Sequence, residues 1–134
     1  DPINPQISLN VIGYVSHGVH SGFGEEYIIK DLGFTYLPGA LFMSYESFNG
    51  ISFRNGPGPN HDHGQVADFI HMGGTGGIGN VYEPYSDAVG DESIIFAEYL
   101  YCGRNLAEAL YKGLRRTSWV EVVVGDPLTT VRVQ

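Results

Sequence analysis

The chain has 134 residues, enough for one domain, and its 43% apolar and 16% charged residues are typical of a globular protein, which excludes a disordered tail. Fifteen acidic against seven basic residues give a formal charge of −8, which argues against binding to nucleic acid or to an anionic membrane surface. The single Cys102 excludes an internal disulfide, and no apolar run approaches the roughly 20 residues of a membrane span. We expect a protein of the extracellular space or the periplasm, and the Asp1-Pro2 start suggests a processed product or a fragment.

The first part of the chain predicts two strands separated by a helix. β-Branched and aromatic residues over Ile7–Val15 indicate a buried strand that ends at His17-Gly18, where glycine allows the backbone to turn. Acidic residues followed by apolar ones at helical spacing predict a short helix over Glu25–Leu32. After a turn at Pro38-Gly39, Ala40–Tyr45 is the second predicted strand.

The middle of the chain contains a long glycine- and proline-rich segment, residues 50–64. Its composition predicts a surface loop, and it carries His61 and His63 on either side of an aspartate.

The remaining chain predicts three helices and two or three strands. The third strand is glycine-rich, which indicates close approach of neighbouring backbones. The last helix begins at an asparagine cap and ends in basic residues that complement its dipole. The predicted elements are the helices Gln65–Met72, Asp91–Tyr101 and Asn105–Arg116, the strands Gly76–Tyr82 and Trp119–Val124, and a weakly alternating edge strand Thr129–Gln134.

This order of strands and helices predicts an α/β domain with a mostly parallel sheet. Each of the four main strands is followed by polar residues. In a parallel sheet these residues share the carboxyl edge, where open α/β sheets bind their ligands. The predicted edge residues are His17, Glu46, Ser47, Glu83 and Asp126.

The spacing of two of these strand ends resembles a known enzyme family. His17-Gly18 is followed 30 positions later by Ser47, within Glu46-Ser47-Phe48-Asn49-Gly50. The pattern is similar to the caspase-like clan of cysteine peptidases, and most to the gingipain family, whose second motif reads Ala-Cys-x-Asn-Gly. The stretch over residues 65–81 and the closing Gly125-Asp126-Pro127 also resemble that family. Parts of the second half resemble an uncharacterised group of related bacterial proteins.

The resemblance implies a caspase-like three-layer domain over residues 1–134, or the C-terminal part of one. Such a domain has strands before its His-Gly strand, and this chain offers only Asp1–Gln6 there. We therefore expect the domain to lack its first strands. An upstream segment or another protein chain is expected to pair with the strand Ile7–Val15, because an open hydrophobic edge is an aggregation template.

The resemblance also implies a site in which the catalytic cysteine is replaced by Ser47. A serine hydroxyl needs a base in hydrogen-bond contact, whereas a thiol reaches its nucleophilic form near neutral pH. Glu46 stands where the family has a small residue, and its charge disfavours an oxyanion. We therefore expect a catalytically silent binding or assembly module. The alternative is a peptidase in which His17 is the general acid, Ser47 (or a cysteine replaced at this position) is the nucleophile, and backbone N–H groups near Gly18 and Ser47 hold the oxyanion.

A third interpretation is a divalent-metal site. One imidazole and three carboxylates, those of His17, Glu46, Glu83 and Asp126, are ligand types for zinc or a harder cation. His61 and His63 are a second and weaker set of metal ligands. The competing explanation is that these polar residues are solvated or cap helices; no cofactor is required by the sequence.

Overall fold

The computed structural model describes residues 10–18, 27–51, 53 and 65–132 of the chain. Within them there are four strands and four α-helices, two of the helices lie between the third and fourth strands, and one π-helical segment, Ala97–Tyr101, continues the third helix. The strands are β1 (Val11–Ser16), β2 (Tyr36–Ser44), β3 (Gly76–Asn80) and β4 (Glu121–Val124), and the helices are α1 (Tyr27–Lys30), α2 (Gln65–His71), α3 (Glu92–Phe96) and α4 (Leu106–Gly113).

The four strands form one mostly parallel sheet in the order β1-β2-β3-β4. The β1–β2 and β2–β3 pairs are parallel, so the carboxyl ends of these three strands lie at one edge. β4 is antiparallel to β3, with Asn80 opposite Glu121 and Gly77 opposite Val124. The prediction of a mostly parallel α/β sheet is confirmed, but β4 runs in the opposite direction to the other strands.

Helices cover both faces of the sheet, because β2 alternates its side chains between two apolar clusters. Leu41 and Met43 pack with residues of α3 and α4 on one face. Ala40 and Phe42 pack with residues of α1 and α2 on the other. Since both faces of β2 are buried, its sequence is a continuous apolar run, as expected for a central strand. The domain therefore has three layers, helix on sheet on helix.

Pro38-Gly39 lies inside β2, where a turn was predicted. β2 begins at Tyr36, four residues before the predicted strand, and its pairing with β1 shifts between Val11 and Gly13. Gly39 has a φ of 92°, a left-handed conformation that glycine adopts without strain. The turn signal was therefore a β-bulge, which bends the strand without ending it.

The glycines of β3 allow the main chains of the neighbouring strands to come close to it, as the sequence predicts. A Cβ atom on Gly77 would lie 2.1 Å from the carbonyl oxygen of Phe42 in β2. One on Gly76 would lie 2.4 Å from the carbonyl oxygen of Val124 in β4. The strand is confined on both sides by main chain, so no side chain fits there.

The two helices α3 and α4 begin where their capping residues predict. Asp91 accepts hydrogen bonds from the first turn of α3, and Asn105 and Glu108 form the predicted capping box of α4. Beyond β4 the described chain, up to residue 132, contains no strand, so the predicted edge strand Thr129–Gln134 is wrong over its described part. None of the described helices has the length and apolar character needed to cross a membrane.

Candidate functional site

The carboxyl edge of the parallel strands brings together most of the predicted site residues. Ser16 and Ser44 are paired at the ends of β1 and β2, and the N–H of Tyr45 donates to the carbonyl of Ser16 at 3.0 Å, which continues the ladder by one step. His17-Gly18 and Glu46-Ser47 therefore leave the sheet side by side. β3 delivers Glu83 to the same edge after Asn80.

His17 is exposed and lies against the ring of Tyr45. The two ring centroids are 5.5 Å apart, with the planes inclined by 31°. The Tyr45 hydroxyl donates to Oε2 of Glu92 at 2.8 Å, which fixes that ring from the side of α3. Burial, together with the neighbouring Glu92 carboxylate, raises the pKa of Tyr45. The imidazole of His17 therefore packs against the ring of the protonated Tyr45, which the hydrogen bond to Glu92 holds in place.

Ser47 is bonded to a carboxylate. Its Oγ donates to Oε2 of Glu83 at 2.8 Å, and the serine is only 9% exposed. The adjacent rings of Phe48 and Tyr82 meet edge to face with centroids 5.6 Å apart. Within the described residues, no hydrogen bond joins Ser47 to His17. Two neighbouring contacts therefore hold the loop after β2 against the segment after β3.

Asn80, the last residue of β3, organises the loop that carries Ser47. Its Nδ2 donates to the carbonyls of Glu46 at 2.8 Å and Ser44 at 3.2 Å, and its N–H donates to Oδ1 of Asn49 at 2.5 Å. The carbonyl of Asn80 accepts from the N–H of Gly50 at 2.9 Å. Because Asn80 is 1% exposed, these bonds replace water for the main-chain groups that they join. We call this set of bonds the Asn80 latch.

Gly18 allows the carboxylate of Glu46 to pack against the main chain after β1. Glu46 is fully buried, and a Cβ atom on Gly18 would lie 1.9 Å from its Oε2. Gly18 also has a φ of 89°, and its N–H donates to Oγ of Ser16 at 3.2 Å. Both the conformation and the contact require glycine at position 18.

We expect Gly18→Ala to lower the free energy of unfolding by about 3 kcal/mol, because it combines left-handed strain with a clash against Glu46. Gly103→Ala is the matched control: Gly103 has a φ of 67° but nothing within 4 Å of its added Cβ. This variant should cost only about 1 kcal/mol. Urea unfolding of both variants measures the difference, and equal losses would contradict the contact with Glu46.

Glu121 is a third acidic group at this edge, brought there by the antiparallel β4. Its Oε1 accepts from the N–H of Gly90 at 2.8 Å, while its Oε2 is buried with no hydrogen-bond partner. Burial raises the pKa of this carboxyl, although the bond from Gly90 and the charge of Arg115 oppose the effect. The folded chain therefore binds the Glu121 proton more tightly than the unfolded chain does.

This raised pKa makes stability depend on pH. The proton on Glu121 stabilises the folded state fully below the unfolded pKa, near 4.5, and that stabilisation is lost as the pH rises through the folded value. We expect Glu121→Gln to be more stable than wild type at pH 7, by less than about 1 kcal/mol because solvent screens the partly exposed carboxyl, and the gap to close as the pH falls below 4.5. Urea unfolding at both pH values tests this, and a gap that does not change with pH would contradict it.

Asp126 does not belong to this group. Because β4 is antiparallel, its end at Val124 lies beside Gly77, at the start of β3, and Asp126 follows at the opposite edge of the sheet. There its Oδ1 accepts from the N–H of Leu128 at 2.9 Å in a turn. The prediction that Asp126 shares an edge with His17, Glu46 and Glu83 is therefore wrong.

The proposed metal ligands at the edge do not converge. Among the residues that the structure describes, no three histidine, cysteine or acidic side chains are grouped closely enough to hold a metal ion, and this includes His17, Glu46 and Glu83. His61 and His63, as well as most of the predicted loop 50–64, lie outside the described residues.

Sequence reasoning missed Asn80 and Glu121. The glycines of β3 made its sequence pattern hard to interpret, and Asn80 was therefore not recognised as a site residue. A polar residue at the end of a buried strand is nevertheless a signal that could have identified it. Glu121 alternates with apolar residues in a strand taken to be parallel, and that direction would have put it at the other edge.

Comparison of the chain with protein-family models, curated proteins and solved structures finds no match to any of them.

Proposed function

We propose that the protein is a catalytically silent, caspase-like module that serves binding or assembly outside the cytoplasm. The observation that carries the proposal is the hydrogen bond from Ser47 to Glu83. In a hydrolase, the nucleophile hydroxyl donates to a base that takes its proton. Here the hydroxyl is bound to a carboxylate, and the imidazole of His17 rests on Tyr45.

The pairing with Glu83 disfavours catalysis for a chemical reason. A carboxylate is a weaker base than an imidazole, so it activates a serine hydroxyl poorly near neutral pH. The bond also holds the hydroxyl towards the β3 side of the edge. Ser47 therefore acts in this proposal as a structural link between the loop after β2 and the segment after β3.

The charge of the edge disfavours acyl transfer as well. A tetrahedral intermediate places negative charge on oxygen and needs hydrogen-bond donors or cations beside it. The carboxyl group of Glu83 is in hydrogen-bond contact with the Ser47 hydroxyl. An acidic group beside the developing charge raises the energy of such an intermediate.

β1 supplies the surface for assembly in this proposal. It is the terminal strand of the sheet that the structure describes, and all six of its residues are half-buried. A terminal strand offers a row of N–H and C=O groups that another extended chain can pair with. The partner is a second protein chain or an upstream segment. The acidic composition fits a place outside the cytoplasm.

Assays with a panel of fluorogenic peptides that differ in the residues before the scissile bond test whether the protein lacks peptidase activity. We expect wild type and Ser47→Ala to show the same background rate. Turnover by wild type that is lost in Ser47→Ala would overturn the proposal and establish the peptidase. Glu83→Gln is the matched variant, since it removes the charge while keeping an acceptor for the Ser47 hydroxyl. It too should remain at background.

Hydrogen exchange tests the edge of β1. The carbonyl of Ser16 faces β2, where it accepts from Tyr45, so alternation along the strand turns the N–H of Val15 away from β2. In the isolated protein, we expect the Val15 amide to exchange at least tenfold faster than the amides of the central strand β2. Protection of Val15 equal to that of Phe42 would show that the edge is already covered, and would contradict the assembly role.

A further inference from the structure

A cavity of 630 Å³ opens at the amino edge of the sheet, away from the site at the carboxyl edge. Its apolar wall comes from the beginning of β1, the bulge of β2, the end of the π-helical segment and the chain after β4. The residues of this wall are Ile12, Leu37, Pro38, Leu100, Tyr101 and Val131. Its volume is in the range of small-molecule sites, roughly 300–1,000 Å³.

The β-bulge contributes to this cavity. Pro38 and Gly39 interrupt the regular pairing of β2 with β1, and Pro38 forms part of the wall. The left-handed Gly39 lies against Val131, since a Cβ atom there would be 2.2 Å from Cγ1 of that valine. The chain after β4 therefore closes over the bulge and completes the cavity from the other side.

Among the described residues that line the cavity, Arg132 is the one with a charged side chain. Among the described arginines, Arg104 is paired with Glu98, Arg115 with Asp91 and Arg116 with Asp87. Arg132 has no ion pair with a carboxylate of the described residues. In a chain with a formal charge of −8, an arginine left without a carboxylate beside an apolar cavity is suited to an anion from outside.

We propose that this cavity binds a small amphipathic carboxylic acid, such as a medium-chain fatty acid. The carboxylate would pair with the guanidinium of Arg132, and the hydrocarbon chain would lie against Leu37, Leu100 and Tyr101. Charge complementarity selects an acid over a neutral lipid, and one arginine matches one carboxylate. The volume accommodates a single medium-chain acid.

The partly exposed apolar groups of the wall support an occupant of this kind. Tyr101 is 81% exposed and Leu37 is 37% exposed, so both present apolar surface that a ligand would cover. The exposed Tyr101 can be replaced without disturbing the core. It therefore offers a variant that tests the cavity without testing the fold.

Isothermal titration calorimetry of the full chain at pH 7 with hexanoate, octanoate and decanoate, each below its micellar concentration, tests the proposal. We expect one site, with a Kd for octanoate on the order of 10⁻⁴ M. Affinity should rise by up to about fourfold for each added methylene until the cavity is filled. 1-Octanol is the uncharged comparison and should bind about tenfold more weakly than octanoate.

Two variants and a control identify the groups that bind. Arg132→Gln should weaken octanoate by about tenfold and leave 1-octanol unchanged, because only the acid uses the charge. Tyr101→Ser should weaken both ligands. Arg116→Gln, which removes an exposed cation paired with Asp87, should change neither affinity.

Three outcomes would overturn the proposal. The first is the absence of saturable binding by any of the three acids. The second is equal octanoate affinity in Arg132→Gln and wild type, which would mean that the acid is adventitious to this cavity. The third is a concentration-dependent dimer, seen by sedimentation and lost in Tyr101→Ser, which would show that a second copy of the chain covers the wall.

Discussion

Asn80→Ala is expected to lower the free energy of unfolding by about 3 kcal/mol, because it removes the two side-chain bonds of the Asn80 latch at a fully buried position. The carbonyls of Ser44 and Glu46 lose a donor that water cannot easily replace. Urea unfolding measures the loss. Hydrogen exchange should also show the Gly50 amide, which bonds to the Asn80 carbonyl, exchanging faster in the variant.

Asn80→Asp separates hydrogen bonding from packing. It keeps the size of the side chain, but the ionised carboxylate has no donor and faces two carbonyl oxygens. At pH 7 we expect it to be at least as destabilised as Asn80→Ala. Burial beside two acceptors raises the pKa of the new carboxyl, so the folded state takes up a proton and stability recovers as the pH falls towards 5. Near-wild-type stability of either variant would show that the latch carries little energy.

The second large effect is expected at Gly77 in β3. Gly77→Ala places a methyl group 2.1 Å from the carbonyl oxygen of Phe42, and the main chain of β2 cannot move aside without breaking the β2–β3 ladder. We expect a loss of more than about 3 kcal/mol, or a chain that does not fold. Thermal unfolding followed by circular dichroism detects either result.

Gly90→Ala is the control for this substitution. The atoms nearest to its added Cβ would be side-chain atoms of Ile78 and Met43 at 3.4 Å, which is close to ordinary contact. We expect a change within about 1 kcal/mol. If the two variants behaved alike, the close approach of β2 to Gly77 would not be the cause.

The sequence predicts the order of elements well because the signals for each element are local. Asp91 and Asn105 cap α3 and α4 through contacts with residues two or three positions away, which pattern reasoning can recognise. The apolar run of β2 likewise indicates a strand buried on both faces. The same reasoning correctly predicts that His17, Ser47 and Glu83 follow parallel strands.

What the sequence could not predict depends on distant parts of the chain. The direction of β4 is set by how the segment after α4 returns to the sheet, and this moved Asp126 to the opposite edge and brought in Glu121. Pro38-Gly39 has the same local chemistry in a turn and in a bulge, and only pairing with β1 distinguishes the two. The partner of Ser47 was similarly undetermined, since Glu83 is 36 positions away.

The composition of β3 has a consequence for the order in which the chain folds. Three of its five residues are glycine and one is asparagine, all with low intrinsic preference for a strand, so only Ile78 favours the extended form. We therefore expect the strand to become ordered only after β2 and β4 have formed on either side of it, late in folding. Substitutions in β3 should accelerate unfolding and leave the folding rate nearly unchanged, whereas substitutions in β2 should slow folding.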